Sequence, residues 1–318
     1  MTRAPGLLAL LILIGSTWGL TVPLSKVVVT AGYRSAGIIF WTSLIGLTFL
    51  GLSLAVRGRP VPLQAGAIRT YVFVALAGNL LPSAAFYLSA QHLPAGVIAV
   101  CLSVIPMMAL PMALAVGIDR ATPGRVLGLT LGLVGVLLIV LPEASLPERA
   151  MVAFIPLALI APFFYAVEGV GLSRMGTAGL GPVQVLFGAS VISCAAALPW
   201  ALATDTFIDP RLPWGIAEGA LLLFGLVHAF AYTGYVWIVG RAGAVFAAQV
   251  SYIVTGAGVL WSMLLLGESY SLWIWAALLA VLGGLFLVQP RAAGRDDGDL
   301  VALPIGEGNI ALHEKQER

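Results

Sequence analysis

Charge is what this chain has least of. Asp, Glu, Lys and Arg make up 9% of its 318 residues, whereas 60% are hydrophobic. So little charge cannot cover a water-soluble surface, and the apolar side chains must face lipid. Histidine is nearly as scarce. His92, His228 and His313 fall in an outer loop, a mid-bilayer span and a tail, so no metal cluster or nucleophile–base pair assembles from them, and neither metal nor other cofactor is expected. Cys101 and Cys194 lie inside apolar runs, where a thiol acts as a small apolar residue, and no disulfide framework is implied. A phosphate-binding glycine loop with its lysine is missing, which argues against an ATP-driven pump. No ring of charge or repeated carbonyl filter marks a channel. The net charge of +2 is not gathered into a basic patch, so nucleic acid is not an expected partner.

What is present is apolar sequence in membrane-sized lengths. Runs of about 20 residues, the length that crosses ~30 Å of hydrocarbon, recur roughly at 6–29, 35–56, 69–91, 95–118, 125–142, 151–173, 182–203, 214–239, 243–266 and 271–290. The partner of such a surface is the lipid bilayer. The first run follows Arg3 as a signal peptide would, but it is too long, lacks a small-residue cleavage site and carries Trp18, Pro23 and Lys26, so a retained helix is expected. Arg3, Arg57, Arg59, Arg69, Arg120, Arg125, Arg174, Arg241, Arg291 and Arg295 then share one side, against Lys26, Arg34, Arg149 and Arg211 on the other. The positive-inside rule places both termini in the cytoplasm.

The chain also repeats itself at an offset of 148 residues. Leu24-Ser25-Lys26 returns as Leu172-Ser173-Arg174, Ser103 as Ser251, Gly135 as Gly283 and Pro142 as Pro290. Each copy holds five spans, an odd number, so the second copy must cross the membrane in the opposite sense. The expected fold is therefore all-α and integral to the membrane, with ten transmembrane helices in two inverted five-helix repeats, 1–142 and 143–290. Residues 291–318, which are polar and mixed in charge, are expected to form a disordered cytoplasmic tail.

Trp18-Gly19 in the first span, Ser103-Val104-Ile105-Pro106 in the fourth, Gly267-Glu268 closing the ninth, and the glycine-rich fifth and tenth spans carry a resemblance. The chain resembles the drug/metabolite transporter superfamily in its ten-span form with two EamA-type repeats. The resemblance implies a bundle with a cavity between the repeats, alternating access, and small organic solutes as substrates, often exported. The chain departs from the pattern at Asp119-Arg120, which replaces the expected Gly-Glu of the first repeat, and at Val254, where Pro106 would recur. Because Pro82, Pro156 and Pro162 also lack counterparts, paired helix interruptions, the best pointer to a transporter site, are absent. The kinks are therefore not expected to mark the site.

Polar residues inside spans are the remaining guide, since each is costly in hydrocarbon and turns toward the bundle interior. Asn79 and His228 fall at the middle of the third and eighth spans, placed to face each other across a cavity. At helical spacing Ser83 and Phe86 extend the first stripe, and Gly225, Tyr232 and Tyr235 the second. Trp18 and Thr21 in the first span, Tyr165 and Glu168 in the sixth, and Gln249, Tyr252 and Gly256 on one face of the ninth would complete the pocket. Trp18, Asn79, Tyr165, His228, Tyr232, Gln249 and Tyr252 are thus the expected substrate contacts. The competing readings are core packing for the aromatics and interhelical hydrogen bonds for Asn79 and Gln249.

Glu168 is the one carboxylate well inside a span, where an ionised acid costs about 2.5–3.5 kcal/mol. Small multidrug transporters of the same superfamily carry a glutamate in their first helix, and Glu168 lies in the first helix of the second repeat. It lies about 8 Å from the cytoplasmic end at 1.5 Å per residue, so reaching interfacial water or pairing with Arg174 is the alternative role. Glu168 or His228 is the expected proton-coupling group, the competing reading of His228 being a satisfied buried hydrogen-bonder. Gly267-Glu268 and Ser271 are expected to start the tenth helix. The resulting expectation is a secondary transporter of the plasma or inner membrane, monomer or homodimer, moving a small metabolite such as an amino acid outward. The alternative is a polytopic enzyme acting on lipids.

Overall fold

Every regular element of the computed structural model, which describes residues 4–211, 213–242 and 249–288, is helical. The expected tail at 291–318 and the expected start of the ninth span at 243–248 lie outside the described residues. Eight helical segments are long and apolar enough to cross a membrane, and Val250–Leu266 and Leu272–Val288 are shorter apolar helices of 17 residues each. Leu133 and Leu137, and Leu279 and Phe286, stand exposed on the fifth and tenth of these segments, as lipid-facing side chains do.

Three spans of the first repeat are broken, and proline chemistry explains where. A proline supplies no N–H to the carbonyl four residues back and crowds it. The first span accordingly divides into α1 (Ala4–Gly19) and α2 (Thr21–Thr30), four residues before Pro23. α3 (Ser35–Val56) is continuous. The third span runs as α4 (Ala65–Val74), a π-helical segment (Ala75–Leu80) and α5 (Leu81–Ala90), and Pro82 frees the carbonyl of Gly78 inside the π turn. The fourth divides into α6 (Ala95–Leu102) and α7 (Ile105–Ala115), four residues before Pro106. The fifth span is α8 (Pro123–Val140), and among the described residues the second repeat runs as a 3-10 turn (Arg149–Phe154) leading into α9 (Ile155–Met175), then α10 (Pro182–Ala203), α11 (Ile216–Ala242), α12 (Val250–Leu266) and α13 (Leu272–Val288).

The packing obeys the repeat. Span 1 packs on span 9 as span 6 packs on span 4; span 3 packs on span 6 as span 8 packs on span 1; and span 2 packs on span 8 as span 7 packs on span 3. The self-equivalent pairs, 2 with 7 and 5 with 10, form the most extensive contacts. That pattern is what two inverted repeats related by a two-fold axis in the membrane plane produce. Glycine permits the closest crossings. A Cβ on Gly128 would lie 2.7 Å from the carbonyl oxygen of Gly284, and one on Gly19 would lie 2.8 Å from backbone atoms of Val254 and Gly258.

One expectation is corrected at the end of the bundle that carries the 31–34, 91–94 and 267–271 loops. Glu268 does not start the tenth helix. Its carboxylate accepts from the Ala95 and Gly96 N–H groups, at 2.8 and 3.2 Å, and so caps α6 of the other repeat, while Ser271 Oγ donates to the Ser145 carbonyl. Lys26 Nζ donates to the Ala90 and Leu93 carbonyls, at 2.6 and 2.9 Å, satisfying the C-terminus of α5. The sharp turn from α5 to α6 thus has an anion on its free N–H groups and a cation on its free carbonyls, the signs a helix end requires.

Candidate functional site

α11 shows two faces. Leu222, Leu226, Phe230 and Trp237 are exposed along one side, whereas Phe224, His228, Tyr232 and Tyr235 follow at i, i+4, i+8 and i+11 along the opposite side. His228 is also exposed. It lies on the side away from lipid, so its ring is reached from between the helices. Trp18 of α1 forms the hub of this wall: its ring lies 5.9 Å from His228, 6.3 Å from Tyr232 and 5.9 Å from Tyr235, all edge-on. Thr21 Oγ1 donates to the Trp18 carbonyl at 2.6 Å, where the break before Pro23 sits.

Glu168 supplies the opposite wall. Helical side chains lean toward the helix N-terminus, so a glutamate two turns from the end of α9 raises its carboxyl toward the membrane centre. It arrives at Gly78, the midpoint of the Ala65–Ala90 span, where a Cβ would lie 2.4 Å from Glu168 Cδ and Oε1 and 2.6 Å from Oε2. Only glycine leaves room for the carboxyl there. Among the described residues no ion pair forms between Glu168 and Arg174, and no protein group donates to its oxygens. The Tyr165 and Tyr232 hydroxyls lie within electrostatic reach of Glu168, which links the two walls.

Asn79 and His228 do not meet. Asn79 Nδ2 donates to Ser43 Oγ at 3.0 Å and its Oδ1 accepts from Ser83 Oγ at 3.2 Å, so the amide ties the π segment to α3 and α5. Ser83 also faces the Tyr165 hydroxyl. Phe224 joins His228, at 6.4 Å, to Tyr87, at 6.2 Å. Tyr252 buries its hydroxyl without a partner and packs on the main core, and Gln249 is exposed at the start of α12. The structure thus gathers Trp18, His228 and Tyr232 on one side and Tyr165 with Glu168 facing Tyr232, ties Asn79 to Ser43 and Ser83, and leaves Gln249 exposed at the start of α12.

Sequence reasoning passed over Gly78, Ser43 and Phe224. The unpaired prolines are in part the signal it set aside, because Pro82 generates the π turn that carries Gly78 and Asn79. The first repeat supplies this widened backbone and the second repeat the Glu168 carboxyl that lies against it.

A family model for the EamA-like transporter family matches the chain twice, at residues 6–141 and 153–289. No curated protein matches it. Fifteen chains of solved structures do. One, a crystal structure described only as that of a protein, aligns with a TM-score of 0.59 at 19% identity, covering 87% of this chain and 95% of its own. That likeness concerns the fold alone.

Proposed function

The chain belongs to the EamA-like transporter family, and on that premise we propose that it is a secondary active transporter exporting a small metabolite, such as an amino acid or related solute. It acts as a carrier and not as an enzyme, by alternating access to a chamber between Glu168 and His228. The observation that carries this reading is the Glu168 carboxyl, held against Gly78 at the midpoint of its span with no hydrogen-bond or ion-pair partner among the described residues. A carboxyl in that position exchanges its interactions between a proton and a bound solute, because among the described residues no group donates to its oxygens. Trp18, Tyr165 and Tyr232 give the solute an aromatic wall, and the Trp18 indole N–H and the His228 ring add polar contacts. Asn79 acts as a positioning residue by fixing the π turn on which the carboxyl rests.

The excess of Arg and Lys on one side supports an orientation with both termini in the cytoplasm of the plasma or inner membrane. Outward transport driven by proton entry would then load the solute from the side opposite Lys26 and Glu268, with Glu168 as the coupling group and His228 as a second proton-handling group.

The test begins with thermal stability of the purified chain across a metabolite panel, followed by counterflow of any stabilising solute in proteoliposomes. Glu168→Gln is expected to keep counterflow and lose its dependence on ΔpH. If Glu168→Gln and His228→Ala both keep wild-type ΔpH dependence, the coupling is wrong. Stabilisation without counterflow, or turnover of lipid, would overturn the transporter reading itself.

A further inference from the structure

Away from the chamber, a slot of about 480 Å³ opens at the end of the bundle that carries Arg34. It exists because α9 and α10 do not close on each other. α9 packs on α5, α6 and α7, and α10 on α3 and α4, so a gap remains between them, floored by α5. Leu81 and Leu88 of α5, Ile160 of α9 and Trp200 of α10 line it and are each 39–45% exposed, so the slot is open sideways to the hydrocarbon. Its volume is that of a site for one small ligand, within the range of about 300–1,000 Å³.

The polar groups lie at one end only. Arg34, Gln91, Thr204 and Thr206 ring the mouth, and no acid lines the slot. Arg34 Nη1 donates to Gln91 Oε1 at 2.7 Å, and among the described residues no carboxylate pairs with the guanidinium. The far end has the opposite character. Leu81 follows Gly78 by three residues and Phe164 precedes Glu168 by four, so the slot ends one helical turn above the Glu168–Gly78 contact. An uncompensated cation at the mouth and an acid beneath the floor give the slot an electrical direction. An anionic head belongs at Arg34 and an apolar chain belongs below it.

We propose that this slot binds a long-chain fatty-acid anion from the membrane leaflet on the Arg34 side, its carboxylate on Arg34 and its chain between α9 and α10. A carboxylate accepts two parallel hydrogen bonds from the planar guanidinium fork, which also selects it over a neutral head. The chain replaces exposure of Leu81, Leu88 and Ile160 with contact along about 15 Å of α5, from Leu81 to Gln91 at 1.5 Å per residue.

The experiment uses the full chain in phosphatidylcholine nanodiscs with a photoreactive diazirine palmitate, followed by peptide mapping. Labelling is expected to concentrate on α5, α9 and α10 and to fall about tenfold in Arg34→Gln, as loss of a charge-assisted hydrogen bond implies. The methyl ester of the probe should show the same loss on the wild type. Ile160→Trp, which fills the slot without touching Arg34, should abolish the labelling. Labelling spread evenly over lipid-facing helices such as α8 would overturn the proposal. So would labelling unchanged by Arg34→Gln, or equal labelling by a photoreactive phosphatidylcholine.

Discussion

Replacing Gly78 by alanine tests the central contact with one methyl group. The new Cβ would stand 2.4 Å from Glu168 Cδ and Oε1, whereas carbon and its neighbours settle at about 3.5 Å. The carboxyl must therefore retreat by about 1 Å. It is the free end of a flexible side chain, so the retreat costs about 0.5–1.5 kcal/mol of rotamer strain. Alanine in place of glycine within a helix returns about 0.5–1 kcal/mol. The two nearly cancel, and the melting temperature of Gly78→Ala should stay close to wild type. Coupling should not. An ångström of misplacement costs enzymes up to about a hundredfold, and a loss of tenfold or more in ΔpH-driven transport is expected here. Glu168→Asp on the Gly78→Ala background shortens the acid by one methylene and should recover part of the rate. Gly169→Ala serves as the control, since a Cβ there meets nothing within 4 Å. Proteoliposome flux with and without ΔpH, beside thermal melts of the same preparations, reads the outcome. Wild-type ΔpH dependence in a well-folded Gly78→Ala protein would refute the assignment of the carboxyl.

Glu268→Ala removes the cap of α6 and should destabilise the protein by about 0.5–2 kcal/mol; a melt that matches wild type would mean that the Ala95 and Gly96 N–H groups find other partners. At the α8–α13 crossing, Gly128→Leu must displace the Gly284 carbonyl, which is backbone and cannot swing aside, so a loss of about 1–3 kcal/mol and poor recovery in detergent are expected, against little change for Gly124→Leu at an open site. The Tyr33 hydroxyl, hydrogen-bonded to Glu218 and partly desolvated, is pushed up to about 12 from 10.0. A pKa raised in the folded state means stability present below about pH 10 and lost as pH climbs through about 12. Tyr33→Phe should therefore flatten the alkaline limb of a melt series between pH 9 and 12 and leave neutral pH without further loss on titration; an unchanged limb would remove Tyr33 as its cause.

Much of the fold was legible because it follows from properties that a segment owns by itself. Length and hydropathy, judged against the thickness of a bilayer, mark ten apolar segments wherever they end up in the bundle. An odd number of spans per repeat fixes the inversion. The divisions before Pro23 and Pro106 and the π turn before Pro82 follow from the local sterics of proline, although Pro111, Pro162 and Pro199 are held within continuous helices.

The tertiary structure decided everything that depends on how one helix is turned toward another. A helix that is apolar nearly all round carries no stripe saying which side faces inward, and between helices in lipid there is no hydrophobic drive to impose one. Depth along the chain thus paired Asn79 with His228, but rotation about the helix axis sends Asn79 to Ser43 and His228 to Trp18. Sequence distance assigned Glu268 to the next helix, whereas packing carries it to α6, 173 residues away from Ala95. Counting residues put Glu168 near a membrane end, and only the lean of its side chain onto a glycine in another span brings the carboxyl to the centre.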